Sequence, residues 1–246
     1  MKSGALSPTL TVKKSPVELR GRGLLFFSKK LVSVKCLRNR NIVVIMEKTV
    51  SASGYKCPAL YFAAPGVPVV FLHGLSFTAD VWQRIGVAEL LMEKHVPFLA
   101  LDMPYGLKTR CKPKTRNPEV NVAVASEAVK SVFGSAAPVL VGASIGGHVA
   151  LKYAARFPVK GLLLIGPGRV LEDDLVRFYG KFNFPVRIIW GSQDNIISGE
   201  EMRTLADKVP NAKLIVYNGA SHPAYLSDPE RFKIDLLELY AAAEQT

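Results

Sequence analysis

A serine hydroxyl becomes an effective nucleophile only where a neighbouring base can take its proton and where the backbone presents it clear of the chain. The stretch Val139-Leu-Val-Gly-Ala-Ser-Ile-Gly-Gly-His148 provides the second condition. Its apolar, β-type start breaks into Gly-x-Ser-x-Gly and resumes at helical spacing through Val149, Ala150, Leu151, Tyr153 and Ala154, closing at Phe157-Pro158. The pattern reads as a strand, a sharp turn carrying Ser144, and a helix. Gly142 and Gly146 flank the serine where side chains would collide with neighbouring backbone.

The first condition predicts an acid and a histidine further along, in that order. Val186-Arg-Ile-Ile-Trp190 is a β-branched run that stops at Gly191-Ser-Gln-Asp194, placing the Asp194 carboxylate at a strand's C-terminal end. Lys213-Leu-Ile-Val-Tyr217 is the next strand, and it opens into Asn218-Gly-Ala-Ser-His222, a loop able to carry an imidazole back over the sheet. Ser144 is therefore the candidate nucleophile, His222 the base and Asp194 the group that orients the base. His95 precedes a far-edge strand, His148 lies inside the helix after the turn, and His73 is expected to bond within its own turn. Upstream, Pro68-Val-Val-Phe-Leu72 is a buried strand ending in His73-Gly74-Leu75. Acyl transfer places negative charge on the former carbonyl oxygen, and the backbone N–H groups of Leu75 and Ile145 are the expected donors to it.

The His-Gly loop, the Gly-x-Ser-x-Gly turn, the late Asp and the final His, in this order, resemble the motifs of α/β hydrolases, and the resemblance runs from Met46 to Thr246. Trp82, Asp102-Met-Pro104 and Ala220-Ser-His-Pro-Ala-Tyr225 are further similar to the small hydrolases of the abhydrolase domain-containing 14 type. Tyr105 departs from the pattern, standing where many relatives have glycine in an Asp-x-Pro-Gly-x-Gly turn. The resemblance implies a serine hydrolase that cleaves a small acyl ester through an acyl-enzyme. Carbon–carbon hydrolases, lyases and ligand-binding modules use the same fold, and these stay open as alternatives.

Positioning these residues requires a strand–helix alternation. Strands are predicted near 48–53, 57–63, 68–72, 97–101, 138–142, 161–166, 185–190 and 213–217, with helices near 79–93, 119–133, 146–156, 171–180, 198–208 and 229–243. Such alternation gives an α/β fold: a mostly parallel, eight-stranded sheet with helices on both faces. Fewer than twenty residues join Ile165-Gly-Pro-Gly168 to Val186, room for one short helix. The cap is thus minimal and the site open, suited to short acyl groups rather than long-chain lipids.

Of the twelve net positive charges in this 246-residue chain, nine fall in residues 1–45, where ten Lys or Arg face Glu18 alone. Residues 1–45 are read as a basic extension outside the fold and 46–246 as the hydrolase domain. Three origins of the extension stay open: an over-long start with Met46 as initiator, a transit peptide, or a tail for acidic partners. Its apolar clusters, 24–27 and 42–45, are too short to span a bilayer. The catalytic part is only mildly basic, so nucleic acid is not an expected partner and a small acyl molecule is. Lys108, Arg110, Lys112, Lys114 and Arg116 crowd nine residues after the strand ending at Asp102, and Lys112 and Lys114 are candidate contacts for an anionic substrate. Cys36, Cys57 and Cys111 show no metal or redox spacing, which predicts free thiols in a reducing, cytoplasmic setting. No metal is expected from the isolated histidines, and no organic cofactor where no Gly-x-Gly-x-x-Gly follows the first strand.

Overall fold

In the computed structural model, which describes residues 29–36 and 42–246, alternate residues of each central strand enter opposite cores. Val70, Leu72, Leu140, Leu162 and Leu164 pack on one face of the sheet, while Val69, Phe71, Val139, Val141, Leu163 and Ile165 pack on the other. This period of two on strands apolar at every position is what a sheet buried on both faces demands.

The strands are β1 (Lys29–Cys36), β2 (Ile42–Ala52), β3 (Tyr55–Phe62), β4 (Val69–Leu72), β5 (Phe98–Leu101), β6 (Val139–Ala143), β7 (Gly161–Ile165), β8 (Val186–Gly191) and β9 (Ala212–Tyr217). They lie in the order β1-β2-β3-β5-β4-β6-β7-β8-β9. The first three join β5 antiparallel, and β5 through β9 run parallel. The chain therefore reverses its direction of travel across the sheet around β4, the place where open α/β sheets form a crevice at their strand ends.

The helices are α1 (Val81–Arg84), α2 (Val87–Glu93), α3 (Pro118–Phe133), α4 (Ile145–Ala154), α5 (Asp173–Tyr179), α6 (Gly199–Lys208), α7 (Ala224–Ser227) and α8 (Pro229–Glu244). Residues of α3, α4, α5 and α6 cover one face, and those of α1, α2, α7 and α8 the other. The predicted helix 79–93 is two, because Gly86 sits in the left-handed region at φ +74° and interrupts it. Asp228 caps α8 by accepting from the Arg231 N–H, with Pro229 in the first turn, as its sequence predicts.

All eight predicted strands are present, and β1 adds a ninth at the antiparallel edge. β2 starts at Ile42, so the sheet begins before Met46. The β-branched run 42–45, read from sequence as a short apolar cluster, is instead the first part of a strand. The cluster 24–27 lies outside the described residues.

Cys57 and Cys111 are joined by a disulfide, which corrects the expectation of free thiols. A two-way backbone bridge between Lys56 and Lys112 brings β3 and the basic loop together, and both cysteines are fully buried. Their separation of 54 residues hid the pairing from the sequence. With the disulfide, the argument for a reducing compartment loses its premise. Among the described residues no helix is long and apolar enough to cross a membrane. Tethering a loop of this length contributes about 4 kcal/mol of stability in the chain-entropy model. The Cys57→Ala, Cys111→Ala pair is accordingly expected to melt roughly 8–16 °C lower. Unchanged melting would show that the cross-link does not form in the folded protein.

Between β7 and β8 the one short helix α5 is present, so the cap is as small as predicted. It is fastened to α4: His148 Nε2 meets Glu172 Oε2 at 2.9 Å, and the nearly buried Lys152 ammonium pairs with Asp174 and, at 3.5 Å, with Glu172. Burial holds the His148 imidazole below its ordinary value against the pull of Glu172, while contact with Lys152 lowers the Asp174 carboxyl.

Candidate active site

Ser144 stands between β6 and α4 with φ +53° and ψ −117°, a conformation that costs on the order of 1–3 kcal/mol for a residue with a side chain. The surroundings impose it. The Ser144 N–H donates to Ile165 O at 2.8 Å, and α4 leaves directly over the end of β4. A Cβ at Gly146 would lie 2.7 Å from the carbonyl oxygen of His73 and nearer still to that of Leu72, so only glycine permits this approach.

Opposite, the loop after β4 brings Leu75 alongside the serine. His73 acts as the strut of that loop. Its buried ring accepts from the Met103 N–H at Nε2 (2.9 Å), which leaves Nδ1–H to donate to Gly74 O (2.8 Å). The Tyr105 hydroxyl donates to His73 O at 2.6 Å. Tyr105, the departure from the family pattern, is thus a second anchor for the same loop. Burial and the nearby Asp102 charge push its hydroxyl well above the ordinary value, so it remains a donor. Ile145 opens α4, and the first N–H groups of a helix have no intrahelical acceptor. Among the described residues neither the Leu75 nor the Ile145 N–H donates a hydrogen bond. Both expected oxyanion donors are therefore uncommitted and flank Ser144.

Asp194 and His222 meet at the ends of β8 and β9. Asp194 Oδ1 accepts the N–H groups of Ile196 (2.8 Å) and Ile197 (2.9 Å), which orients the carboxylate and leaves Oδ2 for His222 Nδ1 at 2.8 Å. The Asp194 side chain is fully buried and that of His222 is 15% exposed. The Gln193 N–H donates to Ala220 O at 2.9 Å and ties the two loops together. Gly166, at φ +46°, is a residue the sequence reading missed: a Cβ there would sit 3.2 Å from both Asp194 Oδ2 and the His222 ring. Its signal was the Gly-Pro-Gly run immediately after β7.

Ser144, His222 and Leu75 line one cavity of 190 Å³, whose apolar wall includes Phe77, Ile165, Ile196 and Tyr225. Tyr225 is held by ring contacts to Trp82 (5.1 Å) and Phe232 (5.7 Å). No hydrogen bond joins the Ser144 hydroxyl to His222 in this structure; such bonds commonly tighten only with substrate present.

On its other side Ser144 borders a second cavity of 210 Å³, lined by Arg116, Asn121, Ile145, His148 and Arg169 among others. Lys112 and Lys114 line neither cavity. The Lys112 backbone forms the bridge to Lys56, and the Lys114 ammonium donates to Leu107 O at 2.9 Å. Of the basic run, Arg116 is the member that lines a cavity beside Ser144. Among the described residues no group of His, Cys, Asp and Glu is placed to hold a metal ion.

A mostly parallel sheet with a strained serine elbow at its switch point, and an Asp–His pair at the ends of β8 and β9, defines an α/β hydrolase fold. Residues 69–187 match the model of the alpha/beta hydrolase family. The chain has the α/β hydrolase fold and is similar to the ABHD14 proteins. It is 30% identical to Protein ABHD14A of Homo sapiens over 173 residues, covering 70% of this chain and 63% of that protein. It is 28% identical over 204 residues to the Homo sapiens protein named "Putative protein-lysine deacylase ABHD14B", covering 78% of this chain and 93% of the relative. A CIB-like hydrolase from Thermoplasma acidophilum shares the fold at a TM-score of 0.71 and 19% identity, over 80% of this chain and 97% of that structure. The chain thus spans slightly less than two thirds of the length of ABHD14A.

Proposed function

We propose that the protein is a serine hydrolase that cleaves small acyl esters through an acyl-enzyme. The observation that carries this reading is the placement of Ser144 in a strained elbow between two uncommitted amide donors, sharing a cavity with a histidine already oriented by a buried carboxylate. In this reading His222 takes the Ser144 proton and Ser144 Oγ attacks the carbonyl carbon. The oxyanion is held by the Leu75 and Ile145 N–H groups, where it meets the positive end of α4 as well. Asp194 keeps the His222 proton on Nδ1, so that Nε2 faces the serine, and stabilises the imidazolium that forms. The imidazolium protonates the leaving group, and water repeats the cycle to free the acid. An acyl-lysine amide, the bond in the name of ABHD14B, presents the same carbonyl chemistry and is the second substrate class for this machinery.

The minimal cap and the small cavities favour short acyl groups. In a series of 4-nitrophenyl esters, kcat/KM is expected to be about ten-fold higher for acetyl and butyryl than for palmitoyl, since the apolar area needed to desolvate a long chain is missing. A preference for palmitoyl would overturn the small-acyl reading.

A further inference from the structure

The second cavity beside Ser144 has a charge character that acyl transfer alone does not explain. Its lining includes two guanidinium groups, Arg116 and Arg169, and no carboxylate. The two are held differently. Arg169 is paired with Glu172 at 2.5 Å, which fixes its place, whereas Arg116 is exposed and has no ion pair among the described residues. Arg116 also lines the neighbouring cavity formed by Pro104–Leu107, Lys114 and Thr115, so its side chain lies where the basic loop meets the serine's surroundings.

Which part of a substrate would enter follows from where His222 is. The leaving group must lie within reach of the imidazole that protonates it, and His222 lines the first cavity and not the second. With the carbonyl oxygen toward Leu75 and Ile145, the remaining substituent, the acyl chain, is directed to the side away from His222. A volume of 210 Å³ corresponds to about seven waters at ~30 Å³ each, enough for a short chain with a polar end. An unpaired guanidinium beside such a chain recognises a carboxylate through charge-assisted, two-point hydrogen bonds.

We propose that the Arg116 cavity is an acyl-end subsite and that the preferred acyl groups are short dicarboxylate monoacyls, with the free carboxylate on Arg116. This rests on the serine hydrolase reading above, and it assigns Arg116 as a specificity-determining residue.

The test pairs each anionic ester with a neutral isostere: monomethyl succinate with methyl 4-oxopentanoate, and monomethyl glutarate with methyl 5-oxohexanoate. At low salt the full-length protein is expected to favour the anionic member by about ten-fold or more in kcat/KM. The preference falls as ionic strength rises. Arg116→Gln is expected to collapse the ratio toward one, while Lys108→Gln, an exposed change in the same loop, leaves it intact. A readout independent of turnover is protection: glutarate is expected to slow fluorophosphonate labelling of Ser144, its neutral isostere heptane-2,6-dione to be ineffective, and Arg116→Gln to remove the protection. Labelling at Ser144 with no anionic preference and no protection would overturn this inference alone. Absence of labelling in a folded protein would remove the serine hydrolase reading and the subsite with it.

Discussion

Replacing Ser144 by Ala is expected to lower acyl-ester turnover by ~10⁴-fold or more, to the level that binding and the oxyanion donors alone can sustain. Everything else at the elbow should persist. Alanine pays the same cost as serine at φ +53°, and the Ser144 backbone keeps its bond to Ile165 O. The Ser144 hydroxyl has no bond to His222 to lose, so the melting temperature of Ser144→Ala should match that of the parent protein. Turnover surviving at more than a few per cent, with enzyme contamination excluded by the parent's purification series, would move the chemistry to another nucleophile.

Asp194→Asn is the second large effect, expected at ~10⁴-fold in kcat, and it separates orientation from folding. The amide oxygen can still accept from Ile196 and Ile197, as Asp194 Oδ1 does, so the loop after β8 keeps its shape. What changes is the partner of His222. An amide NH₂ in the place of Oδ2 donates to Nδ1, which drives the imidazole proton to Nε2 and leaves no lone pair toward Ser144. Asp194→Ala would be less informative, since it also strips the acceptor from two loop N–H groups and mixes a stability loss into the result. Activity of Asp194→Asn within ten-fold of the parent would show that Asp194 does not set the His222 tautomer.

The elements that carry this chemistry were legible because each has a short-range signature. The elbow is written as strand, Gly-x-Ser-x-Gly and helix. Asp194 and His222 each follow an apolar β-type run by a few residues, and the short stretch between Gly168 and Val186 left room only for α5. The missed features depend on contacts distant in sequence. Gly166 is special because Asp194 and His222 arrive beside it from two later loops. Cys57 and Cys111 pair because an isolated bridge, Lys56 to Lys112, draws the basic loop onto β3. The same bridge ties the Lys112 backbone to β3, and Arg116, four residues on, lines a cavity with the serine, a difference that a run of alternating basic side chains does not encode. Tyr105 looked like a broken turn motif, and its role appears only when its hydroxyl reaches the His73 carbonyl. The edge strand β1 is defined by pairing with β2, and edge pairing has no periodic signal of its own.

Activation of Ser144 can be read from a fluorophosphonate probe applied to the intact protein and to Ser144→Ala, with the adduct located by peptide mass spectrometry. A single adduct on Ser144, absent from the variant, is expected. A folded protein that takes no label, or one labelled at another residue with Ser144 untouched, would rule out an activated nucleophile at this position.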